Sequence, residues 1–377
     1  MNYLKKNLGN RKIIWLEESN NYLLVDNHAA GVIERILTGG SKDEVADWCG
    51  KTYELPENES SRFVGEIIEL LGKATDHSLT NTGILRSGIV SGLGDGEGHA
   101  RLYRFNHTLI EIRYCHPRLE ELVHPRFSHL EVRSGEADHV IEILHRNNEL
   151  ILLVDHQTGG IWEEGEAHLL LGRLFFELVR LANDTDESNW MGVFHASAVS
   201  YHSRGLMFLG DSGKGKSTAT AILLSEGFTL CADDFVPVDS HYLHLWSFPA
   251  ALSLKKESLE TLMPLFPQLS EARDFFFPES GKTVRYLTTH ASEFPDQTHV
   301  SCEGLIFVNY QVNSGCRISR LPKYQAFSKL VPDSWISPIR DHAQKFLDWF
   351  LSMPCYQLTY SDQGKMVQTV SKLFKDV

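Results

Sequence analysis

What this chain lacks excludes several classes of protein. Its six cysteines (Cys49, Cys115, Cys231, Cys302, Cys316 and Cys355) form no C-x-x-C pair, which argues against a disulfide scaffold and fits reduced thiols in a cytoplasmic protein. Basic charge is not in surplus: 36 Lys and Arg stand against 49 Asp and Glu, a formal net charge of −13. Nucleic acid and anionic membrane, which both need a basic footprint, are therefore not expected as partners. Long apolar runs are missing too. The greasiest stretch, HLLLGRLFFELVRLA from His168 to Ala182, is broken by Arg173, Glu177 and Arg180, too short and too charged to span a bilayer. No apolar segment follows the opening MNYLKKNLGNRK, so no signal peptide is expected. Internal repeats, low-complexity runs and a serine-hydrolase elbow are likewise absent. The 18 histidines invite a metal site, but Cys115, His116, His124 and His129 match no zinc-ligand spacing.

What remains is a globular composition, 42% hydrophobic and 23% charged over 377 residues, enough for two or three domains. In the first 80 residues a strand is expected at Tyr22–Asp26. A helix over Ala29, Ala30, Val32, Ile33, Ile36 and Leu37 stops at Gly39-Gly40. Ser41 with Glu44 three residues on reads as a capping box opening a second helix, and a third runs from about Ser60 to Leu71. Strands and short helices in this order suggest a small winged-helix domain over 1–80. The glycines between Arg86 and His99 mark a linker, 81–100. The region 101–190 is β-rich, with strands expected at Leu109–Tyr114, His129–Arg133, His139–Leu144 and Leu150–Asp155, and a trailing helix from about Glu166 to Ala182. From 191 to 377 the pattern becomes α/β. The fold class expected is thus a multidomain chain of α+β and α/β parts.

The strongest motif is GLMFLGDSGKGKSTATAILL. Gly210, Asp211, Ser212, Gly213, Lys214, Gly215, Lys216, Ser217 match G-x-x-x-x-G-K-[ST], with an apolar strand before and a helix from Lys216 after. Glycines let successive amides turn inward around an anion, and the helix start adds roughly half a positive charge. Lys216 can then reach terminal phosphates, while Ser217, followed by Thr218, can offer a hydroxyl to Mg²⁺. Seventeen residues beyond Lys216, the strand FTLCADD ends in Asp233 and Asp234, where a magnesium ligand and a base that accepts a hydroxyl proton belong. Ser217 and Asp234 are the first choice for the metal, and which of the two acids is base and which assists the metal stays open. His195 precedes the loop by one strand. Lys255, Lys256, Lys282 and Arg285 are basic residues downstream that could neutralise a transferring phosphoryl group.

The order HASAV, strand, GDSGKGKST, helix, LCADD resembles the HPr serine kinase/phosphorylase family, whose nucleotide core is similar to that of phosphoenolpyruvate carboxykinase. The likeness is firm over about Phe194 to Asp239. The segments SFPAALSLK, KTVRYL and GLIFVNY look like the HPr-kinase-related enzymes of peptide-modification pathways. The resemblance implies ATP and Mg²⁺ as cofactors, Lys216 and Ser217 on phosphate and metal, His195 near the transferred phosphate, Asp233 and Asp234 as base and metal helper, and Arg285 as a catalytic cation. The C-terminal signature that accompanies phosphorylase activity and a hexamer is not found, which puts HPr as acceptor and the hexamer in doubt; self-association into a homo-oligomer stays open. The N-terminal YLLVDNHAAGVIERILTGGSKDEVADWCGKTYELPENESSRFVGEIIELL is similar to PqqD-type peptide-recognition domains, which implies capture of a peptide by strand addition and a helix groove.

These residues together point to an ATP- and Mg²⁺-dependent kinase acting on a hydroxyl, serine foremost, of a peptide or protein brought in by the N-terminal domain. Two other readings share the motif: a small-molecule kinase, and a non-catalytic, nucleotide-gated adaptor that presents a peptide to other enzymes.

Overall fold

The computed structural model describes residues 2–75, 98–277, 281–288 and 299–374. It is a mixed α/β chain with several sheets. Contacts gather it into two compact units, Met1–Thr82 with Leu321–Ser352, and Gly83–Arg320 with Met353–Val377. The glycine-rich linker expected at 81–100 lies, up to residue 97, outside the described residues. Among the described residues no helix is long and apolar enough to cross a membrane.

In the first unit an antiparallel meander, Tyr3–Leu8, Arg11–Leu16 and Asn21–Asp26, leads into three helices. Local chemistry sets their starts. The Asp26 carboxylate accepts from the Ala29 amide, beginning Asn27–Leu37. Ser41 and Glu44 exchange the two bonds of a capping box, beginning Lys42–Tyr53. The third helix, Glu57–Thr75, lays Val64, Ile67 and Leu71 on Ile14, Leu16, Ile33 and Cys49. The segment 321–352 completes this unit: Asn20 donates to the Ile336 carbonyl at 2.8 Å, Arg340 to Glu17 at 2.7 Å, and Tyr22 packs edge-on against Phe346. A boundary drawn from sequence leaves that segment within 191–377, because nothing local in it says which unit it packs against.

The second unit holds three sheets. The five-stranded one runs His99–Phe105, Thr108–Tyr114, His139–Arg146, Glu149–Val154 and Gln157–Glu163. Its neighbours are antiparallel except that Thr108–Tyr114 and His139–Arg146 run parallel. A parallel pair needs a crossover, and the helix Pro117–Phe127 lies in the chain between them. The strand expected at His129–Arg133 is therefore corrected. Ser128–Leu130 is a single 3-10 turn continuing that helix, and only Glu131 bridges, to Tyr103. Leu119, Val123 and Phe127, four apart on one helix face, mark the helix that runs on into this turn.

In the large sheet the order is Thr229–Asp233, Ser197–Tyr201, Arg204–Leu209, His299–Tyr310, with Cys355–Tyr360 also alongside His299–Tyr310. The helix Lys216–Ser225 packs Ala219, Ile222 and Leu223 into a core with Leu206, Phe208, Leu230, Ile306 and Leu358. A small third sheet, Leu252–Lys255, Lys282–Leu287 and Phe275–Phe277, has two unlike faces. Leu252, Leu254 and Leu287 enter the same core. On the opposite face Val284 and Tyr286 pack with Phe275 and Phe277.

Candidate functional site

The loop 210–215 springs from the strand Arg204–Leu209 and closes on the helix Lys216–Ser225. Its shape depends on glycine at two places. Gly210 takes φ +142°, and a Cβ there would stand 2.8 Å from the Val308 carbonyl. Gly215 takes φ +90°, and its Cβ would meet Tyr310 Cβ and the Tyr360 hydroxyl, each at 3.0 Å. The Tyr360 hydroxyl in turn donates to the Gly215 carbonyl at 3.2 Å, the Tyr310 amide donates to the Lys214 carbonyl at 2.9 Å, and the two rings meet edge-on. Two strand ends thus brace the loop from below. Tyr360 lies 145 residues from Gly215 and carries no motif, so sequence reasoning had no signal for it.

Asp211 to Lys214 are exposed, whereas Lys216 is only 6% exposed. The amides of Lys216, Ser217 and Thr218, in the first turn, have no intrahelical acceptor, as at every helix start. Lys255 and Lys282 converge on the loop from the small sheet. Their ammonium groups donate to the same atom, Ser212 Oγ, at 2.8 and 3.1 Å. Burial first, then the neighbouring Lys282 and Lys216, pull the Lys255 ammonium below its ordinary value. Like charges gathered this closely are costly unless an anion sits among them.

Asp233 ends its strand directly opposite Ser197. It is 3% exposed. Its carboxylate accepts from the Ser197 hydroxyl, from the Ser217 hydroxyl at 3.3 Å and from the Ser253 amide at 3.3 Å. Burial, and secondarily the Asp234 charge, push its carboxyl up to about 7, against the opposing pull of Ser197 and Lys216. Asp234 turns away in a left-handed conformation, φ +62°. Among the described residues its carboxylate makes no hydrogen bond or ion pair. The pairing expected between Ser217 and Asp234 is therefore revised: Asp233 is the acid beside Ser217. One peptide unit separates the two acids, and the strand's alternation sends only the first toward the helix start.

His195 sits exposed in the bend between Trp190–Phe194 and Ser197–Tyr201. Phe194 pairs with Val236 and Ser197 with Asp233, so the bends carrying His195 and Asp234 cross side by side. Arg285 is not brought to the loop. It stands opposite Leu254 on the core-facing side of the small sheet, donating to Asp274 and to the Leu269 carbonyl, each at 2.6 Å. Lys256 begins the next turn, Lys256–Ser258.

The residues present fit a phosphate-bearing ligand with a hard divalent cation. A hydroxyl and a carboxylate meet in one place, the oxygen donors that Mg²⁺ takes, and three lysines flank the loop.

No family model matches the chain, and no curated protein matches it. Among solved structures, the HPr(Ser) kinase/phosphatase from Coxiella burnetii is matched over 49% of this chain and 94% of that one, at 11% identity and a TM-score of 0.23. A likeness that loose bears on neither site nor activity.

Proposed function

We propose that this chain is an ATP- and Mg²⁺-dependent phosphotransferase whose acceptor is a hydroxyl, that of serine in a peptide or protein. The observation that carries the reading is the meeting of Lys255 and Lys282 on Ser212, across a glycine-shaped loop from a buried acid beside Ser217. Three cations and a helix start on one side, and oxygen donors on the other, make the arrangement phosphoryl transfer needs, where positioning and charge neutralisation do most of the work. A bound nucleotide with its magnesium supplies the phosphoryl group and screens part of its charge. Lys216, Lys255 and Lys282 hold and orient the phosphates. Ser217 and Asp233 hold the cation, and Asp234, without a partner, accepts the acceptor's hydroxyl proton. His195, at the neighbouring bend, helps place the transferred group. The N-terminal unit offers the edges of its three-stranded sheet to the peptide, in line with the PqqD-type resemblance.

The test is isothermal titration with ATP and Mg²⁺, followed by transfer of labelled phosphate to serine-containing peptides. Wild type binds and transfers, while Lys216→Ala stays folded and transfers nothing. Transfer retained by Lys216→Ala refutes the reading. Nucleotide bound with no phosphate on any acceptor leaves the adaptor reading in its place.

A further inference from the structure

We infer that the cavity between the helix Pro117–Phe127 and the small sheet is the acceptor subsite, and that its occupant is a short peptide segment of no net charge that carries the reacting hydroxyl. The inference rests on the phosphotransferase reading and names what that reading leaves open: where the acceptor lies.

Lys255, Lys282 and Tyr286 share one face of the small sheet, since Lys255 stands opposite Val284 and strand residues alternate. The lysines reach the loop from this face, and Tyr286 and Phe275 line the cavity on it. Tyr286 stands directly opposite Ser253, whose amide holds Asp233. The cavity wall is thus one strand from the acids. The opposite wall is tied to the same strand: Ala251, just before it, donates to the Arg126 carbonyl at 2.8 Å, and the Arg126 guanidinium lies over the Tyr286 ring. The Tyr286 hydroxyl is buried with no hydrogen-bond partner among the described residues.

The cavity measures about 540 Å³, inside the range of about 300–1,000 Å³ typical of ligand sites. That admits a few residues of chain and no folded domain. Its charged lining is two arginines and two glutamates, paired as Arg101 with Glu120 and Arg273 with Glu121. Balanced charge gives no compensation for desolvating a strongly charged metabolite. It does offer both donors and acceptors, which a peptide backbone needs, beside the apolar surfaces of Phe275 and Tyr286.

The test uses the full-length protein and a library of serine-centred peptides that varies the charge of the flanking residues. Fluorescence anisotropy without nucleotide reads binding, and labelled ATP reads transfer. Wild type is expected to favour neutral flanks. Ala272→Trp, which fills the cavity, weakens binding of the best peptide by about tenfold or more and raises its KM, at an unchanged melting temperature. Arg273→Glu moves the preference to basic flanks, a reversal that a merely structural role would not produce. Peptide binding and KM unaffected by Ala272→Trp, flanking preference unmoved by Arg273→Glu, or free serine labelled as well as any peptide would each overturn the inference while leaving the kinase standing. A wild type that binds no ATP and labels nothing removes the phosphotransferase reading and the subsite with it.

Discussion

Replacing Asp233 by Asn separates the cost of burying this acid from its use. In the folded chain burial pushes its carboxyl from 3.8 up to about 7. A raised carboxyl means the folded state keeps the proton that the unfolded chain releases. The associated stability is fully present below about pH 4 and is lost as pH rises through 7. Carried through linkage, a rise of this kind is a penalty on the order of a few kcal/mol above pH 7. Asparagine never ionises, so Asp233→Asn escapes it. Ser197 and Ser217 hydroxyls can rotate to meet its amide. Urea unfolding at pH 4, 6 and 8, in buffer stripped of metal with EDTA, should show the variant close to wild type at pH 4 and more stable at pH 8, while a separate assay with ATP and Mg²⁺ at pH 8 should show transfer lost in the variant alone. A gap between the two proteins that does not widen with pH, or a variant weaker than wild type at pH 8, refutes the burial argument. Stability traded for function in this way is expected of a site whose charges are arranged for a ligand.

Three more outcomes follow from the same geometry. Gly215→Ala forces a left-handed alanine against Tyr310 and Tyr360, so thermal unfolding should register a loss of about 1–2 kcal/mol and titration a weaker nucleotide; normal affinity would mean the loop is not the cradle. Lys282→Met removes one of two ammonium groups on Ser212, so the ligand-free protein should melt no lower while ATP binding weakens and loses part of its salt dependence. Arg285→Met should lower the melting temperature by breaking the Asp274 and Leu269 contacts and leave nucleotide affinity alone; a large loss of affinity would return Arg285 to the site.

Features written in contiguous residues were legible without coordinates. Ser41 and Glu44 announce a capping box, Gly210 to Ser217 a strand–loop–helix turn, and the run after Glu166 a helix observed at Ala167–Ala182, because capping, φ preference and helical period act within a few residues. Side-chain direction at the site depended on partners far along the chain. Ser212 lies 43 residues from Lys255 and 70 from Lys282, and only strand register puts those lysines on one face and Arg285 on the other. Which of two neighbouring acids meets Ser217, what braces Gly215, and where 321–352 packs are settled by the same non-local pairing. A one-residue change of register would turn each side chain to the opposite face, and no local stretch of sequence encodes that choice.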